Sequence, residues 1–588
     1  MNCLSRISTC ARSALSLCVL LVTHSARTCA SDIGDINYDL SIQVRDSRAE
    51  LHATMSCRAT GVGAIEIGMP RDTAFGTPDI AKYITSIEGL HGTHVRRGDA
   101  EDTCLVTPDG NGSVTIRYAL SFSSEDFGSQ TYAPSAGPEH LHVSCSQWML
   151  RIGDPERERS YHIRLHELPA GWSGYSSLGR DLIAMTARTS HKAIRRKVIG
   201  AMRGRPRRFT VDGLDVAIFV SEHMSAPGDI GAAIERIVKL ERRAFGETSS
   251  GFFNVVVLPR PGNIAGIAVH NGFVCFFKPE ILMQQLLLLV AHEMMHTWIN
   301  GDIEFGPEDA RSENFVRNMW FVEGVNEYLA RTILRDAGLM EPIEFAEAVN
   351  RDLVNLADNP HGRKPFKTLM EEANSGQWNV SYQKLAYYRG ALMSLGWEAQ
   401  LEGGDHSVLG VVQAIRQHSV VGDRMSSEHF FEFFRRSGID ASRDVDRYII
   451  DGLAIEIDPQ VLGPEFELVE EHVPSFDPGF DLSATQKSGI ASGVVTEGPA
   501  SLAGLRDGMS VVEIRNANRF SNAWDPEAPM IVIVEQGGGR KHLTFHPHGK
   551  LMTVKQFKPA KAKTSCSRVR LRLSVLAAYG AWPERTSG

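Results

Sequence analysis

No stretch of the 588-residue sequence reaches about 18 consecutive apolar residues, the length a membrane-spanning helix requires, so no transmembrane span is expected in the mature chain. Cysteine is scarce. There are nine, and four of them (Cys3, Cys10, Cys18, Cys29) fall in the first thirty residues. The remaining set, Cys57, Cys104, Cys145, Cys275 and Cys566, is odd in number and widely spaced, which excludes a disulfide-stapled scaffold and matches no zinc or redox spacing. One or two bridges stay open in an oxidising compartment, with Cys57 and Cys104 among the closer pairs. Positive charge is not in excess: 62 Lys and Arg stand against 70 Asp and Glu, a formal net charge of −8, which argues against a nucleic-acid-coating protein. No repeat at 20 to 50 residue spacing occurs.

What is present is close to the globular average. With 43% hydrophobic, 22% charged and 8% aromatic residues, the chain is neither disordered, collagenous nor coiled coil. Its length implies about three to five domains. The first thirty residues have the form of an export signal: Arg6 and Arg12 precede an apolar run from Ser13 to Val22, and the small residues Ala26 and Ala30 follow. A periplasmic or secreted protein is expected.

From Asn37 to about Phe122 polar and apolar residues alternate between turn signals, as in Ser113-Val114-Thr115-Ile116-Arg117-Tyr118, so residues 31–205 are expected to form a β-rich domain. A basic stretch follows, with Arg195, Arg196, Lys197, Arg203, Arg205, Arg207 and Arg208. It reads as a polyanion- or membrane-facing patch or, since no aromatic residues interleave, as a solvated interdomain loop, and it is taken as a boundary. Between Ala232 and Gly452 the periodicity is helical, over Ile237 to Phe245, Pro279 to Asn300, Phe315 to Leu334 and Tyr387 to Glu398. Pro279 suits a first helical turn and Gly301 a stop. A second β-rich stretch covers 463–548, and 549–588 is a basic tail without a clear period.

The chemically informative string is His292-Glu293-Met294-Met295-His296. Residues i and i+4 share one helical face, so both imidazoles can reach one metal ion while Glu293 can reach a water on it. A catalytic zinc needs three protein ligands and an open position, and Glu323, in Trp320-Phe321-Val322-Glu323-Gly324 on the next long helix, supplies the third. Glu327, four residues on, is placed to accept the second ring N–H of a ligand histidine or to stand as a solvated helix carboxylate. Two imidazoles and a carboxylate without thiolate favour zinc over iron or copper, one ion per chain, although ligand type alone admits manganese or cobalt.

These segments, with Thr297-Trp298, resemble the gluzincin metallopeptidases. The 27 positions from His296 to Glu323 (323 − 296) resemble the glycyl aminopeptidase family more than the alanyl one. The resemblance implies a thermolysin-like, mainly helical catalytic domain over 206–462, and a transition-state tyrosine in Ala386-Tyr387-Tyr388-Arg389-Gly390: Tyr387 when registered on Gly390, with Tyr388 as the fallback. It also implies a C-terminal PDZ-like domain. Ser488 to Val495 and Pro499 to Gly508 carry that likeness, and Gly479-Phe480 would belong to a loop that receives a peptide C-terminus. One departure stands out. The family carries Gly-Leu-Glu-His upstream of the zinc helix, its glutamate taking the substrate amine, whereas this chain reads Gly266-Ile267-Ala268-Val269-His270, leaving Val269 at the acidic position unless a glutamate from elsewhere, such as Glu280, substitutes.

The expected protein is thus a multidomain α+β zinc peptidase: Glu293 as base, Tyr387 at the oxyanion, zinc on His292, His296 and Glu323, and weakened free-amine recognition. Two other classes remain open, a PDZ-bearing peptide-binding protein with a non-catalytic peptidase domain and a zinc hydrolase of a non-peptide substrate.

Overall fold

The computed structural model describes residues 32–560 apart from 61–62, 72–79, 99, 101, 128–132, 225–227, 261–263, 279–281, 307–316, 378–379, 402–406, 421–422, 518 and 520–527. The export signal, Pro279, Glu280, Cys566 and the chain beyond 560 lie outside the described residues.

Alternation builds the N-terminal domain. Along Arg48–Thr60 every second residue is buried, and Leu51, Ala53 and Met55 enter the core. This strand is central in a seven-stranded sheet whose main path runs Met185–Ser190, Glu158–Glu167, Ile36–Arg45, Arg48–Thr60, Ser113–Ser121, Ile84–Gly89. Two tyrosine hydroxyls close that core on backbone, Tyr118 on the Trp148 carbonyl at 2.8 Å and Tyr38 on the Leu150 carbonyl at 3.2 Å. Cys57, Cys104, Cys145 and Cys275 are all free and buried, so the bridge considered for Cys57 and Cys104 is not formed; the Cys104 thiol lies against Met69 Sδ at 3.7 Å.

The basic stretch is not a continuous solvated loop. Val198–Arg203 is a strand whose first five residues are buried, and Arg207–Val211 opens the next sheet, leaving only 204–206 between them.

A five-stranded sheet begins the central domain, in the order Arg207–Val211, Leu214–Val220, Gly251–Pro259, Gly272–Phe277, Ala265–Val269. Its three inner strands are parallel and apolar on both faces. Val255, Val257 and Phe273 pack on the helices, while Val256, Leu258 and Phe276 meet Tyr175 and Met202 of the N-terminal domain. The domain is mainly helical, as expected, and the sheet is an addition that helical periodicity did not announce, because short apolar runs carry no period that separates buried strand from buried helix. The helices follow. Ile230–Ala244 begins seven residues before Ile237, capped by Asp229, and Met283–Met295 ends before the expected Asn300, in a turn.

The third unit holds a three-stranded antiparallel sheet (Val511–Arg515, Met530–Gln536, Gly539–Phe545), two short helices, and a long ribbon pairing Phe466–Phe476 with His548–Pro559. The ribbon runs beyond the boundary expected at 548, so the basic tail starts as strand. It is tied to the Pro342–Asp358 helix: the Asn350 amide accepts from Phe557 N–H at 2.7 Å and donates to its carbonyl at 2.8 Å. Arg519 pairs with Asp358 on the same helix. No described helix is long and apolar enough to cross a membrane.

Candidate metal centre

His292 and His296 come from the end of the Met283–Met295 helix, whose buried side carries Leu286, Leu287 and Val290. Glu323 comes from Trp320–Val325, a π-helical segment that passes directly into the α-helix Asn326–Asp336. The wider π turn adds one residue to the local register and re-aims the carboxylate, the common use of such segments at functional sites. One donor atom from each of His292, His296 and Glu323 lies within 4.8 Å of the others. Glu323 Oε2 stands 3.2 Å from His292 Nε2 and 3.7 Å from His296 Nε2.

Around the donors the charges are ordered. Glu327 accepts from His292 Nδ1 at 2.9 Å, which leaves Nε2 toward Glu323, and Arg331 holds the other Glu327 oxygen at 2.8 Å while pairing with the buried Asp352. Burial disfavours charge on His292, yet the hydrogen bonds it donates to Glu323 and Glu327, with their negative charges, outweigh it and raise its pKa to about 10. Burial lowers His296 to about 4. Against its own burial, Glu323 is held down at about 2 by His292 and His296. A carboxylate between two imidazoles, backed by a second carboxylate and free of thiolate, fits a zinc ion.

Glu293 is buried beside this cluster, and burial raises its carboxyl to about 7. The Ala268 amide hydrogen-bonds to it from the strand Ala265–Val269. Gly266 makes that approach possible, since a Cβ there would stand 2.2 Å from Glu293 Oε1. Gly266 is turned to Glu293 and Ile267 packs against the N-terminal domain, while Ala268 and Val269 both line the cleft. Neither side chain is acidic, so this strand offers no carboxylate to a substrate amine.

Tyr387 lies at the centre, its ring parallel to His292 with centroids 5.8 Å apart and its hydroxyl bonded to Glu323. Tyr388 is buried and bonds Asn355 instead. The cleft over these groups encloses about 2060 Å³ and is bounded by the edge strand, the Pro342–Asp358 helix and, from the third unit, Val473, Phe476, Arg519 and His548. Gly479 and Phe480 are elsewhere. The Gly479 N–H donates to Asp477 Oδ1 at 2.8 Å and the Phe480 side chain is in the core of the third unit.

Sequence reasoning missed Asn326, fully buried, whose amide donates to the His292 carbonyl at 3.2 Å and touches the His296 ring. It missed Lys384, whose Nζ sits 3.8 Å from the Tyr387 ring centroid. Arg331 had a signal, the i, i+4 spacing from Glu327. Asn326 had none beyond its nearness to Glu323.

The sequence matches the M61 glycyl aminopeptidase family over residues 285–394, a span holding both histidines, Glu293, Glu323, Glu327 and Tyr387. Among solved structures, an aminopeptidase N family protein from Idiomarina loihiensis aligns at TM-score 0.61 and 14% identity, covering 89% of this chain and 96% of that one. An M1 zinc metallopeptidase from Deinococcus radiodurans aligns at TM-score 0.39 and 14% identity over 73% of this chain and 95% of its own. Yeast LTA4 hydrolase in complex with bestatin aligns at 0.38 and 12%, over 73% and 69%. No curated protein matches.

Proposed function

For a chain that carries an M61 glycyl aminopeptidase domain and is an enzyme of the zinc metallopeptidase type, we propose an exported peptidase in which His292, His296 and Glu323 hold one zinc ion and Glu293 is the general base. The observation that carries the reading is the convergence of the three donors within 4.8 Å beside a buried glutamate in a large cleft. Bound zinc supplies Lewis-acid polarisation of a carbonyl and acidifies water. Glu293 takes the water proton and returns it to the leaving amine, a role suited to a carboxyl raised toward neutrality. Tyr387 donates its hydroxyl to the developing oxyanion, and Glu327 keeps His292 in one tautomer. Among the described residues the strand Ala265–Val269 is paired on one side only, and an extended peptide adds to its open edge.

Free-amine recognition is weak in this reading, because no carboxylate stands on Gly266 to His270. The third unit is PDZ-like and serves as a wall of the same cleft; a peptide C-terminus at Gly479 and Phe480 has to displace Asp477 from the Gly479 N–H. Hydrolysis of a mixed peptide library by the purified protein, with and without a chelator, tests the proposal. Cleavage abolished by chelator and restored by zinc is expected, and cleavage insensitive to chelator overturns it.

A further inference from the structure

Part of the basic stretch that the metal centre leaves unused reaches the cleft. Arg196 and Lys197 line it from the turn after His191–Ile194, and His270 lines it from the end of the edge strand. His270 is close enough to Lys197 that, after burial, the lysine charge also holds its pKa down. Burial lowers Lys197 to about 8, so it remains charged at neutral pH. Among the described residues that line this side, from 193–197 and 264–272, none is acidic.

The acids elsewhere on the lining are engaged. Glu247 and Asp302 pair with Arg416, Glu304 with Arg424, and Glu327 and Asp352 with Arg331. Glu293 and Glu323 belong to the metal centre. On the far wall Lys384 adds a cation beside Tyr387. A substrate ammonium placed near His270 meets positive charge, and a carboxylate meets complementary charge in a partly desolvated cleft, where such pairing steers and selects. His270 lies two residues past Ala268, about 7 Å along the strand. That is the reach of a side chain one or two residues from the bond facing Glu293.

Resting on the peptidase reading above, we propose that the substrate is a peptide carrying an aspartate or glutamate within two residues of the cleaved bond on the His270 side, read by Lys197 and Arg196. The test uses zinc-loaded full-length protein and matched peptides that differ only as Asp against Asn, or Glu against Gln, at each of the two positions on either side of the cleaved bond. The acidic peptide should be favoured by about tenfold in kcat/KM at a position on one side of the cleaved bond only, the scale of a partly buried ion pair, and an equal preference on both sides counts against the proposal. The ratio should fall toward one in the R196Q/K197Q double variant and recover in K197R. Because the ratio is taken within each variant, loss of folded protein cancels.

Equal or better cleavage of the amide peptides overturns the proposal, as does a ratio unchanged in R196Q/K197Q. Dissociation constants of the same pairs for zinc-loaded Glu293→Gln protein separate this failure from that of the peptidase reading. If nothing is cleaved, the peptidase reading falls, while tighter binding of the acidic peptides still supports an anion-selecting cleft and equal binding removes it.

Discussion

Gly324 and Gly390 meet backbone to backbone. A Cβ on Gly324 would stand 2.5 Å from Gly390 Cα, and one on Gly390 would stand 2.0 Å from the Trp320 carbonyl oxygen. The contact locks the π-helical segment bearing Glu323 onto the helix bearing Tyr387, so the glycines that end the two sequence motifs are two halves of one joint. Gly390→Ala forces backbone apart and should destabilise the protein by roughly 1–3 kcal/mol or more, the range for overpacking. Zinc content should fall with it. Denaturant midpoints and elemental analysis check this, and a variant of wild-type stability and zinc content would show that the joint yields freely.

Wild-type protein should hold about one zinc per chain, with His296→Ala losing it, since three donors on two elements define a site that two cannot. Elemental analysis after dialysis against trace zinc decides. A wild-type preparation that stays metal-free would remove the enzyme reading and favour a binding protein.

Glu293→Gln should keep zinc and slow hydrolysis by about 10²-fold or more, the scale of general acid–base catalysis. Near wild-type turnover in a zinc-loaded variant would show that the base lies elsewhere.

A free-amine peptide and its N-acetylated twin should differ little in kcat/KM, because no carboxylate stands on the edge strand from Gly266 to His270. A preference for the free amine of roughly 10²-fold, the worth of a desolvated ion pair, would reveal an acid contributed from another segment.

Acid should loosen the seam between the N-terminal and central domains. Burial lowers His140 to about 4 and His142 to about 3, and His142 Nδ1 lies 3.0 Å from the Tyr175 hydroxyl in that seam. The unfolded chain takes up these protons near pH 6.5 and the native state does not, so their stabilisation is complete above pH 6.5 and declines as pH falls toward 4 and 3. A tenfold difference in proton affinity is about 1.4 kcal/mol, so the pair amounts to several kcal/mol. Thermal midpoints across pH 7 to 4 should drop, and less steeply in His142→Gln; parallel slopes would assign the acid sensitivity to other groups.

Much of the centre is local in character and was legible along the chain. Two histidines at i and i+4 share a face on any helix, and strict alternation over Arg48–Thr60 reports a half-buried strand without further context. The metal donors and Glu293 therefore followed from spacing and motif. What the chain order does not carry is register between distant segments. The central sheet was hidden because its strands are buried on both faces and lose their alternation. The π turn at Trp320–Val325 was hidden because helical periodicity does not announce one inserted residue. That Gly266 approaches Glu293 while Ile267 turns to the N-terminal domain is a one-residue choice of strand face, set by packing between distant segments. Arg196 and Lys197 looked like linker charge until folding set them beside His270 on one side of the cleft, a proximity created by two domains meeting at one sheet.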